Sequence, residues 1–262
     1  MDNHSIKFWG VRGSIACSSP NHVDFGGNTS CIEIVAGNER IICDAGTGIR
    51  SLGNSFLRSG LHKATILLSH THWDHINGFP FFTPAYDPKR SITIYAGHLK
   101  HQGGVQSVLS AQMHNPMFPV PLEAMQADIQ YVDFEAGENF DLFGDVKIKT
   151  APLNHPNGST AYRVEHKGKA VVYVTDTEHI VGKSDQNILA LIEGADLVIY
   201  DSTYTEEEFP EKGLELNFGD FVVFSNLIPH RSGPIANSNA IRLSLQFRYD
   251  DLCDPHYLRM GW

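Results

Sequence analysis

Residues 64–75, ATILLSHTHWDH, run a short apolar stretch straight into three histidines and an aspartate. The apolar part is rich in aliphatic residues and too short for a helix, so it reads as a buried strand. At a strand end, residues two apart point the same way, and His70 and His72 can present their imidazoles to one ion. Asp74 and His75 fall where the chain begins to curl, and can face a second ion beside the first. Imidazole and carboxylate ligands suit Zn, with Mn or Fe as alternatives. A lone loop histidine is usually a surface or core residue. The H-x-H-x-D-H spacing is compact and points instead to a metal site, provided the fold brings further ligands to the same place.

The rest of the chain, from residue 5 to about 200, repeats the theme of short apolar strands separated by glycine-rich turns. Strands are expected at IKFWG, CIEIVA, RIICDA, ATILLS, ITIYAG, IQYVDF, VKIKTAP, AYRVEH, AVVYVTD and DLVIYDS. Gly168, between two strand patterns, makes 165–170 a hairpin. Helical spacing appears at Ile49, Leu52, Phe56 and Leu57 and again at 188–192, with further helices expected at 76–83 and 104–113. Early strand pairs followed by alternating strands and helices imply an α/β architecture of mixed sheets with helices packed outside. His155 and Asp176 each follow a strand pattern, so both can lie at a common sheet edge.

Several function classes are excluded by composition. The net charge of −10, from 30 acidic against 20 basic residues, leaves no basic block to track a long nucleic acid. No apolar stretch approaches the ~18 residues that span a bilayer, and the N-terminus has no signal-peptide pattern. A cytoplasmic protein with no membrane partner is expected. The four cysteines, Cys17, Cys31, Cys43 and Cys253, form no C-x-x-C pair and are read as reduced and mostly structural.

The motifs GVRGS, FGGNTSCIEI, DAGTGIRSLG, LLSHTHWDHINGFPFF, VVYVTDTE and GADLVIYDSTYTEEE together resemble a phosphodiesterase-like branch of the metallo-β-lactamase superfamily. The resemblance covers about 5–212 and implies an αββα sandwich: two mixed β-sheets with outer helices and ligands on loops at one sheet edge. It implies His70, His72 and His155 at a first metal and Asp74 and His75 at a second. Asp176 matches the carboxylate bridging the two, and Asp44 the buried aspartate that braces the metal loops. Two such metals would share a water, lower its pKa toward neutrality and turn it into an attacking hydroxide. Asp74 is the candidate catalytic residue, orienting that hydroxide or accepting its proton, with metal binding as its simpler role. Trp73 and the FPFF run are read as packing residues.

Two departures stand out. The family histidine that completes the second site, and the G-W-G-H-S-T segment after YTEEE, are both missing. Residues 214–262 instead resemble the end of the phytanoyl-CoA dioxygenase family, with His230 matching its last iron ligand and Arg242 the arginine that grips 2-oxoglutarate. The chain is therefore divided into a metallohydrolase domain at 1–212 and a β-rich tail at 213–262, with strands at 221–224 and 241–247. The leading expectation is hydrolysis of a small phosphodiester resembling a cyclic nucleotide, with two divalent cations as cofactors and a homodimer left open. The alternatives are an inactive mononuclear metal-binding protein and, behind it, an Fe(II)/2-oxoglutarate dioxygenase.

Overall fold

Most strands of this chain carry apolar residues at consecutive positions, the pattern of a sheet covered on both faces. In the computed structural model, which describes residues 4–22, 25–143, 145–180 and 183–201, that is where they lie. One sheet has six strands in the order β1 (His4–Gly10), β2 (Cys31–Ala36), β3 (Glu39–Cys43), β4 (Lys63–Leu68), β5 (Ser91–Ala96) and β6 (Asp128–Asp133). Its first two pairings are antiparallel and the remaining three parallel. The second sheet has five strands, spatially ordered β11 (Leu197–Tyr200), β10 (Lys169–Val174), β9 (Ser159–His166), β8 (Lys147–Leu153) and β7 (Phe140–Asp141). Only the β10–β11 pairing there is parallel.

The two-residue period of a strand sorts the side chains into three apolar layers. On β4, Ala64, Ile66 and Leu68 face outward to α1 (Gly48–Arg58) and α3 (Val105–Gln112), where Ile49, Leu52, Phe56, Val105 and Leu109 cover them. Leu67 faces inward, meeting Ile41, Cys43, Ile148, Tyr162, Val164, Tyr173 and Ile199 between the sheets. On the far side, Ala161, Val172, Val174 and Val198 pack against Ile188, Leu191 and Ile192 of α4 (Gln186–Ile192). Helix, sheet, sheet, helix is the expected αββα sandwich.

All ten expected strands are present, within two residues at either end, and so is the hairpin. Lys167 and Gly168 both have positive φ, 49° and 76°, as a two-residue turn between antiparallel strands requires. The missed strand, β7, is only two residues long. The helix expected at 76–83 is a correction. Four residues of helix, α2 (Trp73–Ile76), give way to two 3-10 turns at Phe79–Phe81 and Thr83–Tyr86. Pro80 and Pro84 lack the N–H a continuous helix needs. Gly78 lies so close to its neighbours that a Cβ would sit 2.0 Å from the Gly46 carbonyl oxygen, pinning the segment to the DAGTG turn.

The parallel β3 and β4 end at the same edge of their sheet, and β8 and β10, both antiparallel to β9, end together in theirs. Two bonds hold these edges in register: Thr160 N–H to the Ser69 carbonyl at 2.8 Å, and the Tyr162 hydroxyl to the Leu68 carbonyl at 2.7 Å. The tail, with His230, Arg242 and its two expected strands, lies outside the described residues, as does Cys253. Cys31 and Cys43 are buried free thiols, and Cys17 is a half-buried one.

Candidate metal centre

Four strand ends deliver the candidate residues: β3 carries Asp44, β4 the 70–75 segment, β8 His155 and β10 Asp176. His70, His72, His155 and Asp176 form one group whose ligand atoms all lie within 4.8 Å of one another. His72 Nδ1 is 3.0 Å from His70 Nε2 and 3.1 Å from His155 Nε2. Asp176 Oδ2 is 3.5 Å from His70 Nε2 and 3.8 Å from His155 Nε2. Ligands held at the usual ~2.0–2.1 Å by one tetrahedral Zn are roughly 3.3 Å apart, so these spacings and this donor set fit a cation.

A second group adjoins the first. His75 Nε2 is 3.4 Å from Asp74 Oδ2 and 3.5 Å from Asp176 Oδ1. Asp176 thus turns one oxygen to each group. Among the described residues the first group has four ligand atoms and the second three, from Asp74, His75 and Asp176.

These side chains are held from behind. Asp44, fully buried, accepts the Ser69 backbone N–H at 2.7 Å, the Ser69 hydroxyl at 2.8 Å and the Tyr173 hydroxyl at 2.7 Å. His75 Nδ1 lies 2.7 Å from the same carboxylate, which fixes the ring and aims Nε2 at Asp74 and Asp176. Asp74 Oδ2 accepts the Ser14 backbone N–H at 2.8 Å, from the GVRGS loop. The Asp176 N–H donates to Asp201 Oδ2 at 3.2 Å, and the Thr175 hydroxyl to Asp176 Oδ1 at 2.6 Å. Asp44 and Asp176 both adopt positive φ, 62° and 50°. That left-handed conformation costs on the order of 1 kcal/mol per residue, and these bonds offset it.

Titration follows the same geometry. Burial alone would lower the pKa of His75, but the Asp44 and Asp176 carboxylates overcome it and hold the value well above the ordinary one. His70 is pushed well down by burial and by His75, as is His155, less strongly, by burial. Burial would raise Asp176 and Asp74; their contacts with His75 hold both below the usual carboxylate range.

All six candidate side chains therefore meet in one place. The sequence reading missed Ser14, Ser69, Tyr173 and Asp201. Asp201 had a visible signal, since DLVIYDS ends beside AVVYVTD, whereas a backbone N–H such as that of Ser14 has none. It also misjudged Trp73. Phe79 and Phe82 are buried, but Phe81 of the same run is 53% exposed and Trp73, between His72 and Asp74, 74%.

A model of the β-lactamase superfamily domain matches residues 39–235. The chain belongs to that superfamily. The match runs beyond residue 212 into the segment with the dioxygenase-like motif. Solved structures share the metallo-β-lactamase fold at low identity. The metallo-β-lactamase fold protein YhfI from Bacillus subtilis superposes with a TM-score of 0.58 at 16% identity, over 82% of this chain and 78% of that one. A diphosphatase from the PhnP family gives 0.53 at 17%, over 81% and 79%. The short form of human tRNase Z gives 0.54 at 18%, over 79% and 83%. No curated protein matches the chain.

Proposed function

We propose that this superfamily member is a metal-dependent hydrolase of a small phosphodiester resembling a cyclic nucleotide. The observation that carries the reading is the split Asp176 carboxylate, one oxygen 3.5 Å from His70 Nε2 and the other 3.5 Å from His75 Nε2. A bridging carboxylate between two ligand groups is what a two-cation site needs. His70, His72, His155 and Asp176 would hold the first cation, and Asp74, His75 and Asp176 the second, with Zn favoured by the nitrogen-rich set. When bound, such a pair supplies Lewis acidity that lowers the pKa of water toward neutrality and neutralises the phosphate oxygens.

The chain's own residues do the rest. Asp44 holds His75 in one orientation, and Ser14 holds Asp74. Asp74 is ionised at neutral pH and would orient the attacking water or accept its proton. His70, Asp74 and His75 are buried, His72, His155 and Asp176 are partly exposed and Trp73 is open to solvent, which favours approach of substrate from the His72 side. The net charge of −10 argues for a small substrate over a long nucleic acid. Support for phosphoester chemistry comes from the two phosphate-directed fold neighbours named above. Among the described residues no helix is long and apolar enough to cross a membrane.

The test is metal content together with turnover of bis(p-nitrophenyl) phosphate. The proposal expects about two Zn or Mn per chain and hydrolysis, with both reduced by His72→Ala. Full occupancy without turnover contradicts it. The smaller ligand set of the second group favours one alternative, a mononuclear protein without activity, which a stoichiometry of one and no turnover would support. The 2-oxoglutarate reading rests on the resemblance of residues 214–262, with His230 and Arg242, and O₂ uptake dependent on 2-oxoglutarate and abolished by His230→Ala would revive it.

A further inference from the structure

The His70–Thr71–His72 segment lies past the end of β4 and before α2, in neither strand nor helix, yet two of its three side chains belong to the first ligand group. His155 comes from a turn in the other sheet. A cation held by both segments requires them to keep a fixed separation; the Thr160–Ser69 bond joins the strands behind them, and a further link comes from a third place.

We propose that His98 is a positioning residue for the first ligand group, fixing the His70–His72 segment against the turn that carries His155. It rests on the reading of that group as a cation site. His98 sits just after β5, the strand beside β4. Its Nε2 is 3.2 Å from the hydroxyl of Thr71, the residue between the two histidines. On the other side lies the 155–158 turn, which closes through a Gly158 N–H to His155 carbonyl bond at 2.9 Å. Gly158 has φ +84°, and a Cβ added there would lie 3.3 Å from the His98 Cβ, so the turn passes close beside His98 with little room for a side chain between them. Gln102 ties the backbone at His98 to that turn: its amide donates to the His98 carbonyl at 3.1 Å and to the Asn157 carbonyl at 3.3 Å. Burial lowers the His98 pKa to about 4, so at neutral pH the ring is uncharged and adds no repulsion to a neighbouring cation.

A supporting hydrogen bond behind a metal ligand typically changes affinity by about 10–100-fold. The experiment measures Zn affinity by chelator competition, and the visible absorption of the Co(II)-substituted protein, for wild type, His98→Ala, His98→Gln, Thr71→Val and the Ala/Val double variant. His98→Ala and Thr71→Val should each weaken the tighter cation about tenfold or more and shift the cobalt bands. The double variant should lose little beyond the single ones, because both act through one contact. His98→Gln, whose amide can still reach Thr71, should recover most of the affinity. Should His98→Ala fail to fold, Thr71→Val carries the test. Wild-type affinity and unchanged cobalt bands in the folded variants, or a lower melting temperature alone, would overturn this inference and leave the metal centre standing. No cation uptake by wild type would overturn both.

Discussion

Asp44 shows how much of this centre depends on single groups. Its carboxylate takes two bonds from Ser69 and one from Tyr173, and also contacts His75, at 2.7–2.8 Å with no exposure to solvent. Asp44→Asn keeps the shape but turns an NH₂ toward groups that themselves donate, and removes the negative charge facing His75. A loss of about 3 kcal/mol is expected in urea denaturation of the metal-free protein. His75 also sets a pH dependence. Its pKa is raised, so a cation at the second group competes with a proton, and affinity there should rise as pH increases from 6 through 8. The first group, where His70 and His155 have lowered values, should respond much less over that range. Zinc titrations at the two pH values check this, and equal responses would contradict it. Trp73 gives a third expectation. Aromatic stacking on an exposed ring is worth about 1–3 kcal/mol per base, so Trp73→Ala should weaken turnover of nucleobase-bearing or aryl phosphodiesters about tenfold or more relative to alkyl ones. Equal loss on both would show that the ring does not touch substrate.

At the scale of elements, strands were legible and the ligand turns were not. Ten strand patterns could be read because a sheet covered on both faces needs unbroken apolar runs, and those are visible without coordinates. The 76–83 segment has helical apolar spacing too, yet Pro80, Pro84 and the contact of Gly78 with Gly46 override it. The positive φ values of Asp44 and Asp176 were not legible either, since aspartate tolerates a left-handed turn better than most residues but seldom takes one. Two glycines separate the local from the functional. Gly78→Ala would push a Cβ into the Gly46 carbonyl, and should cost stability and weaken the second cation together. Gly168→Ala meets nothing within 4 Å but must keep its φ of 76°. It lies at the far end of β9, roughly 23 Å from the ligand edge by strand rise. It should cost about 1 kcal/mol by denaturation and leave zinc affinity unchanged.

For the molecule as a whole, the ligand set joins two sheets. His70, His72, Asp74 and His75 extend from the first, His155 and Asp176 from the second, so cations bound between them would favour the assembled sandwich over the unfolded chain. By linkage, a cation at about 1,000 times its Kd adds about 4 kcal/mol. In a domain of this size chelation should then lower the melting temperature by about 10 °C. The mixed-sheet α/β plan was readable from the order of strand and helix patterns, and the αββα sandwich from the resemblance of the motifs to the superfamily. What the motifs could not give, beyond Asp44, was which groups stand behind the ligands, since the Ser14 backbone N–H and the side chains of Tyr173, His98 and Asp201 come from four separate parts of the sequence.

The most direct test is anomalous diffraction from crystals of the zinc-loaded protein. Two peaks about 3.5–4 Å apart on either side of the Asp176 carboxylate, one among His70, His72 and His155 and one beside Asp74 and His75, are the expected result. Absence of density among the three histidines under zinc saturation would contradict the account.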